Sequence, residues 1–253
     1  MIVELVGCTS SGKSTLLRKI VDRHQDNCPE VIAAQTFVFR VTHLSWLKHA
    51  MLRRIATNLI GLVYCLLNFH KNITILNFSF AYLKRLPSTI SLRERIKIAR
   101  IVLRNTGIYE LIRRYDSKET IVVLDEGFLQ IVHYLFVYES MAPDIKQVDK
   151  LLSQIPIPDA VILLSAPKRV LKERTLARGH DRIKAGSSEA VEAFISHALE
   201  VFECLKASPE IRQRLVAVNS CSNVQPFVTN GDQSSDVNRI IEILISGCIY
   251  GRA

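Results

Sequence analysis

The chain has 253 residues, of which 48% are apolar and 23% charged, a balance that excludes intrinsic disorder and allows one large α/β core. Its 33 Lys and Arg residues against 24 Asp and Glu leave a net charge of +9, which points to an anionic small molecule or partner without naming it. The cysteines Cys8, Cys28, Cys65, Cys204, Cys221 and Cys248 show neither CxxC spacing nor interleaved histidines, so neither a zinc site nor a disulfide framework is expected and a reducing cytoplasm fits.

Residues 2–6 read as a strand, and because Met1 precedes them directly no targeting sequence is expected. They lead into Gly7-Cys8-Thr9-Ser10-Ser11-Gly12-Lys13-Ser14, which matches G-x-x-x-x-G-K-[ST] at every fixed position. A helix over 13–23 follows, with Leu16, Leu17, Ile20 and Val21 on one face. Strand before and helix behind are the context in which this pattern cradles a triphosphate. Glycine lets the backbone turn its N–H groups toward phosphate oxygens, and the helix N-terminus adds positive potential. Residues Gly7 through Thr15 are therefore the expected ATP cradle, with Lys13 reaching the β- and γ-phosphates and the Ser14 hydroxyl binding Mg²⁺.

Part of residues 31–39 reads as a second strand, followed by Arg40. The stretch 42–117 is mostly helical, with two to four helices by length, and delays the third strand far beyond a normal crossover, so it reads as an inserted helical subdomain. Within it, residues 55–69 form an uncharged run between Arg54 and His70. That run is shorter than the ~18 residues a membrane span needs, so no transmembrane helix is expected. The expectation is a helix buried on most sides, with peripheral lipid contact as the remaining reading. Ser91 and Glu94 match a capping box opening a helix that places Arg93, Lys97, Arg100 and Arg104 on one stripe, and Ile96, Ala99 and Leu103 on another. Such a charge row is ordinarily a solvated face; the alternative is that Arg100 and Arg104 seat an anionic acceptor.

A third strand at 120–124 ends in Asp125-Glu126-Gly127, like a Walker B strand. Asp125 either caps the next helix or stands beside the phosphate loop, where it would hold Mg²⁺ through water. Either Asp125 or Glu126 is then placed to take the proton of an acceptor hydroxyl, and the sequence does not separate them. After a fourth strand at 160–164, Pro167 suits a helix start and Gly179 a helix end. Arg174 and Arg178, four apart, share a face of that helix, and Arg182 follows on a loop able to fold back over the nucleotide. Residues 167–184 thus read as a lid bringing three guanidinium groups around the transferring phosphoryl group. Helical spacing returns at 191–205, a fifth strand at 215–218, a polar loop at 219–235, and a last helical pattern at Val237, Ile240, Ile241, Leu244 and Ile245. The histidines lack metal-ligand spacing and Trp46 alone builds no stacking platform, so no nucleic acid is expected. Neither an LSGGQ-like signature nor an N/T-K-x-D motif is present, which argues against a transporter ATPase and a regulatory GTPase.

The phosphate loop with its flanks (2–23), the acidic strand end (120–127) and the Arg-x-x-x-Arg-Gly run followed by Asp181-Arg182 (within 160–182) resemble the P-loop nucleoside and nucleotide kinases, especially the thymidylate-kinase-like group. The likeness extends weakly to the last strand and helix and does not cover 42–117. It implies a three-layer P-loop NTPase fold with a five-stranded parallel sheet of order 2-3-1-4-5 and a mobile lid, so the chain is expected to be a single domain over 1–253 that carries the helical insertion at 42–117. It also implies catalysis by arginines that clamp the phosphates, here Arg174, Arg178 and Arg182, which join Lys13 and Asp125 or Glu126 from the motifs above, and it puts Arg40 where this family has an acceptor-binding arginine, the alternative being a surface arginine. Thymidylate kinases carry Asp-Arg where this chain has Asp125-Glu126, a departure that shifts the expected acceptor toward a hydroxyl-bearing nucleoside or sugar. The expected activity is ATP-dependent transfer of a γ-phosphoryl group to a nucleoside, nucleotide or sugar-type acceptor. The alternative is a P-loop ATPase or nucleotide-binding regulatory protein without such an acceptor; a homodimer stays open.

Overall fold

The computed structural model describes residues 1–24, 29–116, 119–183 and 187–219, together with residue 242. The closing helical pattern at Val237, Ile240, Ile241, Leu244 and Ile245, most of the polar loop expected at 219–235, and Cys28, Cys221 and Cys248 lie outside the described residues.

The elements run β1 (Ile2–Gly7), α1 (Lys13–His24), β2 (Glu30–Ala33), α2 (Ala34–Val41), α3 (Ala50–Leu67), α4 (Phe69–Arg85), α5 (Leu92–Tyr115), β3 (Thr120–Leu124), α6 (Phe128–Phe136), α7 (Ile145–Leu152), β4 (Ala160–Ser165), α8 (Lys168–Arg178), α9 (Ser188–Ala207), α10 (Pro209–Arg212) and β5 (Leu215–Asn219). The strands form one parallel sheet in the order β2-β3-β1-β4-β5, with β1 paired to β3 through Ile2↔Val122 and to β4 through Val3↔Ala160. That order with a phosphate loop behind the central strand is the P-loop kinase fold.

Side chains alternate across the pleat and so divide the core in two. Val3 and Leu5 of β1 pack with Leu16 and Ile20 of α1 and with Ile121, Val123 and Ile162. Ile2 and Val6 face the larger cluster built from Leu111 and Ile112 of α5, Phe128 and Ile131 of α6, and Phe194 and Ile195 of α9. Both faces of the sheet are thus sealed, and the C-terminal strand ends are left to the loops.

Two sequence expectations are corrected here. The apolar run 31–39 is strand only to Ala33 and turns at once into α2, where Phe37, Val38 and Phe39 are all buried. A continuous apolar run carries no periodicity to tell helix from strand. The run at 55–69 lies mostly in α3, of whose 18 residues only Gly61 and Cys65 are buried; the helix is exposed along most of its surface, not buried. One narrow side meets α5. There a Cβ on Gly107 would fall 1.7 Å from the Gly61 carbonyl oxygen, and one on Gly61 2.7 Å from that of Arg104. The two helix backbones touch, an approach closer than the usual 8–10 Å interaxial spacing of larger side chains permits. The Ser91 cap on α5 forms as expected, its Oγ accepting the Glu94 N–H at 3.2 Å.

Candidate active site

Where β1 ends, the chain turns through positive φ at Gly7 (155°), Ser10 (63°) and Gly12 (99°). At Gly7 the glycine is also required by space, because a Cβ would stand 2.5 Å from the Leu164 carbonyl oxygen of neighbouring β4. The turn closes with Ser11 N–H to Cys8 O (3.2 Å), and α1 starts with Thr15 and Leu16 N–H to Gly12 O (3.1 and 3.0 Å). Lys13 curls back over the loop, its Nζ donating to Gly7 O (2.6 Å) and Cys8 O (3.0 Å). Burial lowers the affinity of this ammonium for its proton, while the Cys8 thiol and the carboxylates of Glu126 and Asp125 oppose that and Arg178 adds to it. Lys13, Asp125, Glu126 and Arg178 therefore share one electrostatic neighbourhood. Cys8 is buried, and burial pushes its thiol up to about 11, so it is packing and not a nucleophile. Ser11 Oγ is buried without a hydrogen-bond partner, whereas Ser14 is exposed at the start of α1 and Thr15 half-buried.

Asp125 sits half-buried at the end of β3 and makes no ion pair among the described residues; burial, then the Glu126 carboxylate, raises its pKa against the pull of Lys13 and Arg104. Glu126 is more exposed and held from two sides: Arg104 Nη2 pairs with Oε2, and the Tyr134 hydroxyl donates to Oε1 at 2.9 Å. Arg104 is oriented in turn by Asn105 Oδ1 at 3.0 Å. Part of the basic stripe on α5 thus lines the cleft: Arg104 grips Glu126, and Lys97 pairs with Asp181 of the lid at 3.0 Å. Arg100 is exposed and has no ion-pair partner among the described residues.

Helix α8, expected as the lid, rests on the phosphate loop. Thr175 Oγ1 donates to Ser10 Oγ at 3.2 Å, and past the Gly179 end His180 meets Thr9. His180 Nδ1 accepts the Arg182 backbone N–H at 3.3 Å, which leaves the ring proton on Nε2, 3.4 Å from Thr9 Oγ1. Burial, with Arg182 nearby, pushes this imidazole down to about 4, so it is neutral at physiological pH. Arg174 and Arg178 are exposed and have no ion-pair partner among the described residues, as a group that meets an anion would be.

Two arginines depart from expectation. Arg182 is not free over the nucleotide: its Nε pairs with Glu94 at 2.9 Å, its Nη2 donates to Val137 O at 2.8 Å, and its guanidinium lies 4.9 Å from the Tyr138 ring centre. With only 5% of its side chain exposed, Arg182 fastens the lid to α5. Arg40 makes a double hydrogen bond with Glu30, both at 2.7 Å. Glu30 opens β2, and α2 returns the chain to that level, so Arg40 stands at the N-terminal end of a parallel sheet whose phosphate loop is at the C-terminal end. The structure does not bring it to the site.

Sequence reading missed Glu4 and His180. Glu4 lies mid-strand in β1, is 1% exposed, and accepts the Gln130 N–H at 2.9 Å, so its carboxyl sits at the N-terminus of α6, directly behind Asp125-Glu126-Gly127. A lone acid inside a hydrophobic strand was its signal. Among the described residues no group of three or more His, Cys, Asp or Glu side chains is arranged to hold a metal. A cavity of about 630 Å³ between α4 and α7, lined by Phe78, Tyr82, Arg85 and Lys150 among others, includes no residue of the phosphate loop or of 167–184.

No protein-family model matches the chain, and no curated protein is significantly similar to it. Among solved structures it is similar to deoxyadenosine kinase from M. mycoides with bound dCTP, at 13% identity and a TM-score of 0.44 over 97% of this chain and 100% of that one. It is similar to the same enzyme with products dCMP and a flexible dCDP, at 13% identity and a TM-score of 0.48 over the same shares. Thymidylate kinase from Ehrlichia chaffeensis is similar at 13% identity and a TM-score of 0.45, over 96% of this chain and 98% of that one. The fold assignment stands on strand order and loop position.

Proposed function

We propose that this protein is an ATP-dependent phosphotransferase acting on a hydroxyl of a small acceptor of nucleoside, nucleotide or sugar type. The observation that carries the reading is the gathering of Asp125, Glu126 and Arg178 within electrostatic reach of Lys13 at the strand ends, with helix α8 bonded to the phosphate loop. Phosphoryl transfer asks of a protein chiefly positioning and charge stabilisation, and these are the parts for it.

In this reading the loop amides and Lys13 hold the triphosphate, and the exposed Arg178, with Arg174, meets charge on the moving phosphoryl oxygens. The Ser14 hydroxyl and the unpaired Asp125 carboxylate are hard oxygen donors suited to Mg²⁺, which when bound would neutralise charge between the terminal phosphates. Glu126, fixed by Arg104 and Tyr134, takes the acceptor's proton as the acceptor oxygen bonds to phosphorus and the bond to ADP breaks. Arg182 fastens the lid and makes no contact with substrate.

The test is a screen of ADP release across nucleosides, nucleotides, sugars and sugar acids with an acceptor-free control. Acceptor-dependent release supports the proposal. Release only without acceptor would overturn it in favour of an ATPase or a regulatory nucleotide-binding protein.

A further inference from the structure

The most exposed apolar surface lies outside the cleft. On α3, Leu52, Ile55, Leu59, Leu62, Val63 and Leu66 are each between 38% and 61% exposed, at spacings of three and four that make one stripe. Trp46, 71% exposed, stands just ahead of it, and Phe69 and Ile73 of α4 carry it on at 44% and 40%. A stripe of this size is not ordinary solvent-facing surface.

Charge marks what covers it. Between Glu30 and Glu94 the sequence has eight Lys and Arg residues and no Asp or Glu; Arg40 is taken up by Glu30, and the other seven leave this stretch strongly cationic. Lys48 and Arg54 are exposed at one end of α3, and Lys71 just beyond the other. A second copy of the chain would set two cationic rims together with no acid in either stretch to pair them, whereas an anionic bilayer satisfies both the apolar stripe and its rim. Long basic side chains and an exposed tryptophan are the groups that settle at a headgroup boundary. By length and composition α3 is also long and apolar enough to cross a membrane. Its backbone is pressed against α5 at Gly61 and Gly107, however, which ties it along its length to the domain and leaves it to lie in the interface.

We propose that the α3 face is a docking surface for an anionic lipid bilayer.

The test uses the full chain and its single tryptophan, Trp46, with phosphatidylcholine vesicles containing or lacking phosphatidylglycerol. The expected result is a blue shift of Trp46 emission and co-flotation with the anionic vesicles, at least about tenfold weaker with neutral ones and reduced by high salt. The double variant Leu59→Glu/Leu66→Glu, both positions exposed, should lose flotation while keeping the wild-type circular dichroism and melting temperature. Absence of binding to anionic vesicles, or binding unchanged in the double variant, overturns the proposal. So does a wild-type dimer that ignores vesicles and is split by the same variant, for the face then belongs to a second copy.

Discussion

Replacing Glu4 by glutamine tests which of two opposed forces governs the floor of the site. Burial disfavours the Glu4 carboxylate, whereas backbone N–H groups from Gly127 to Gln130 at the start of α6 favour it; burial prevails and raises its pKa from 4.5 to about 7. A group that binds its proton more tightly in the folded state lends stability at acid pH, and that stability is lost as pH rises from the unfolded value toward the folded one. The window here is 4.5 to about 7, and the loss across it is about 3 kcal/mol at roughly 1.4 kcal/mol per tenfold change in proton affinity. Glutamine keeps an oxygen to accept the Gln130 N–H and does not titrate. The assay is the melting temperature of both proteins from pH 4.5 to 8, read as their difference so that contributions from groups such as His133 and His180 cancel. The variant should gain on wild type as pH rises, by roughly 6–12 °C for a chain of this size. A flat difference would refute the reasoning by showing that the N-terminus of α6 offsets burial in full, and one that runs the other way by showing that it outweighs burial.

The other predictions concern packing and the lid. Gly107→Ala should destabilise by at least about 1–3 kcal/mol in urea unfolding, because the new Cβ meets backbone at 1.7 Å that no rotamer change relieves; an unchanged midpoint would mean that α3 and α5 are not in contact. Arg182→Ala should destabilise by about 3–5 kcal/mol, leaving Glu94 unpaired, while Lys97→Ala, whose pair with Asp181 is exposed, should cost less than about 1 kcal/mol; equal effects in thermal melts would contradict the anchoring role of Arg182. In a steady-state assay with the acceptor identified, Arg178→Ala should lower kcat by roughly 10²-fold with less effect on ATP affinity, and a loss confined to affinity would remove Arg178 from the transfer step.

Much of the frame was legible because its signals are local. The phosphate loop is a spacing, and β3 and β4 are β-branched runs between breakers, so strands expected at 120–124 and 160–164 appear at Thr120–Leu124 and Ala160–Ser165. What escaped depends on partners distant in sequence. Nothing near Arg182 announces that Glu94, 88 residues earlier, will claim it, and Arg40 looks free until Glu30 is seen across the α2 turn. The apolarity of α3 was read as burial because composition reports that a side chain avoids water, not which surface relieves it. The clasp of Glu126 by Arg104 and Tyr134 likewise needs α5 and α6 folded against the end of β3.

The central claim is that the loop from Gly7 to Ser14, with Lys13, grips the triphosphate of a nucleotide, and isothermal titration calorimetry with Mg²⁺ measures it most directly. Wild-type protein should show saturable one-site association with ATP, and Lys13→Ala, with melting behaviour unchanged, should bind far more weakly and turn over no acceptor. Absence of heat with every nucleoside triphosphate, or wild-type affinity and turnover in Lys13→Ala, would contradict the account.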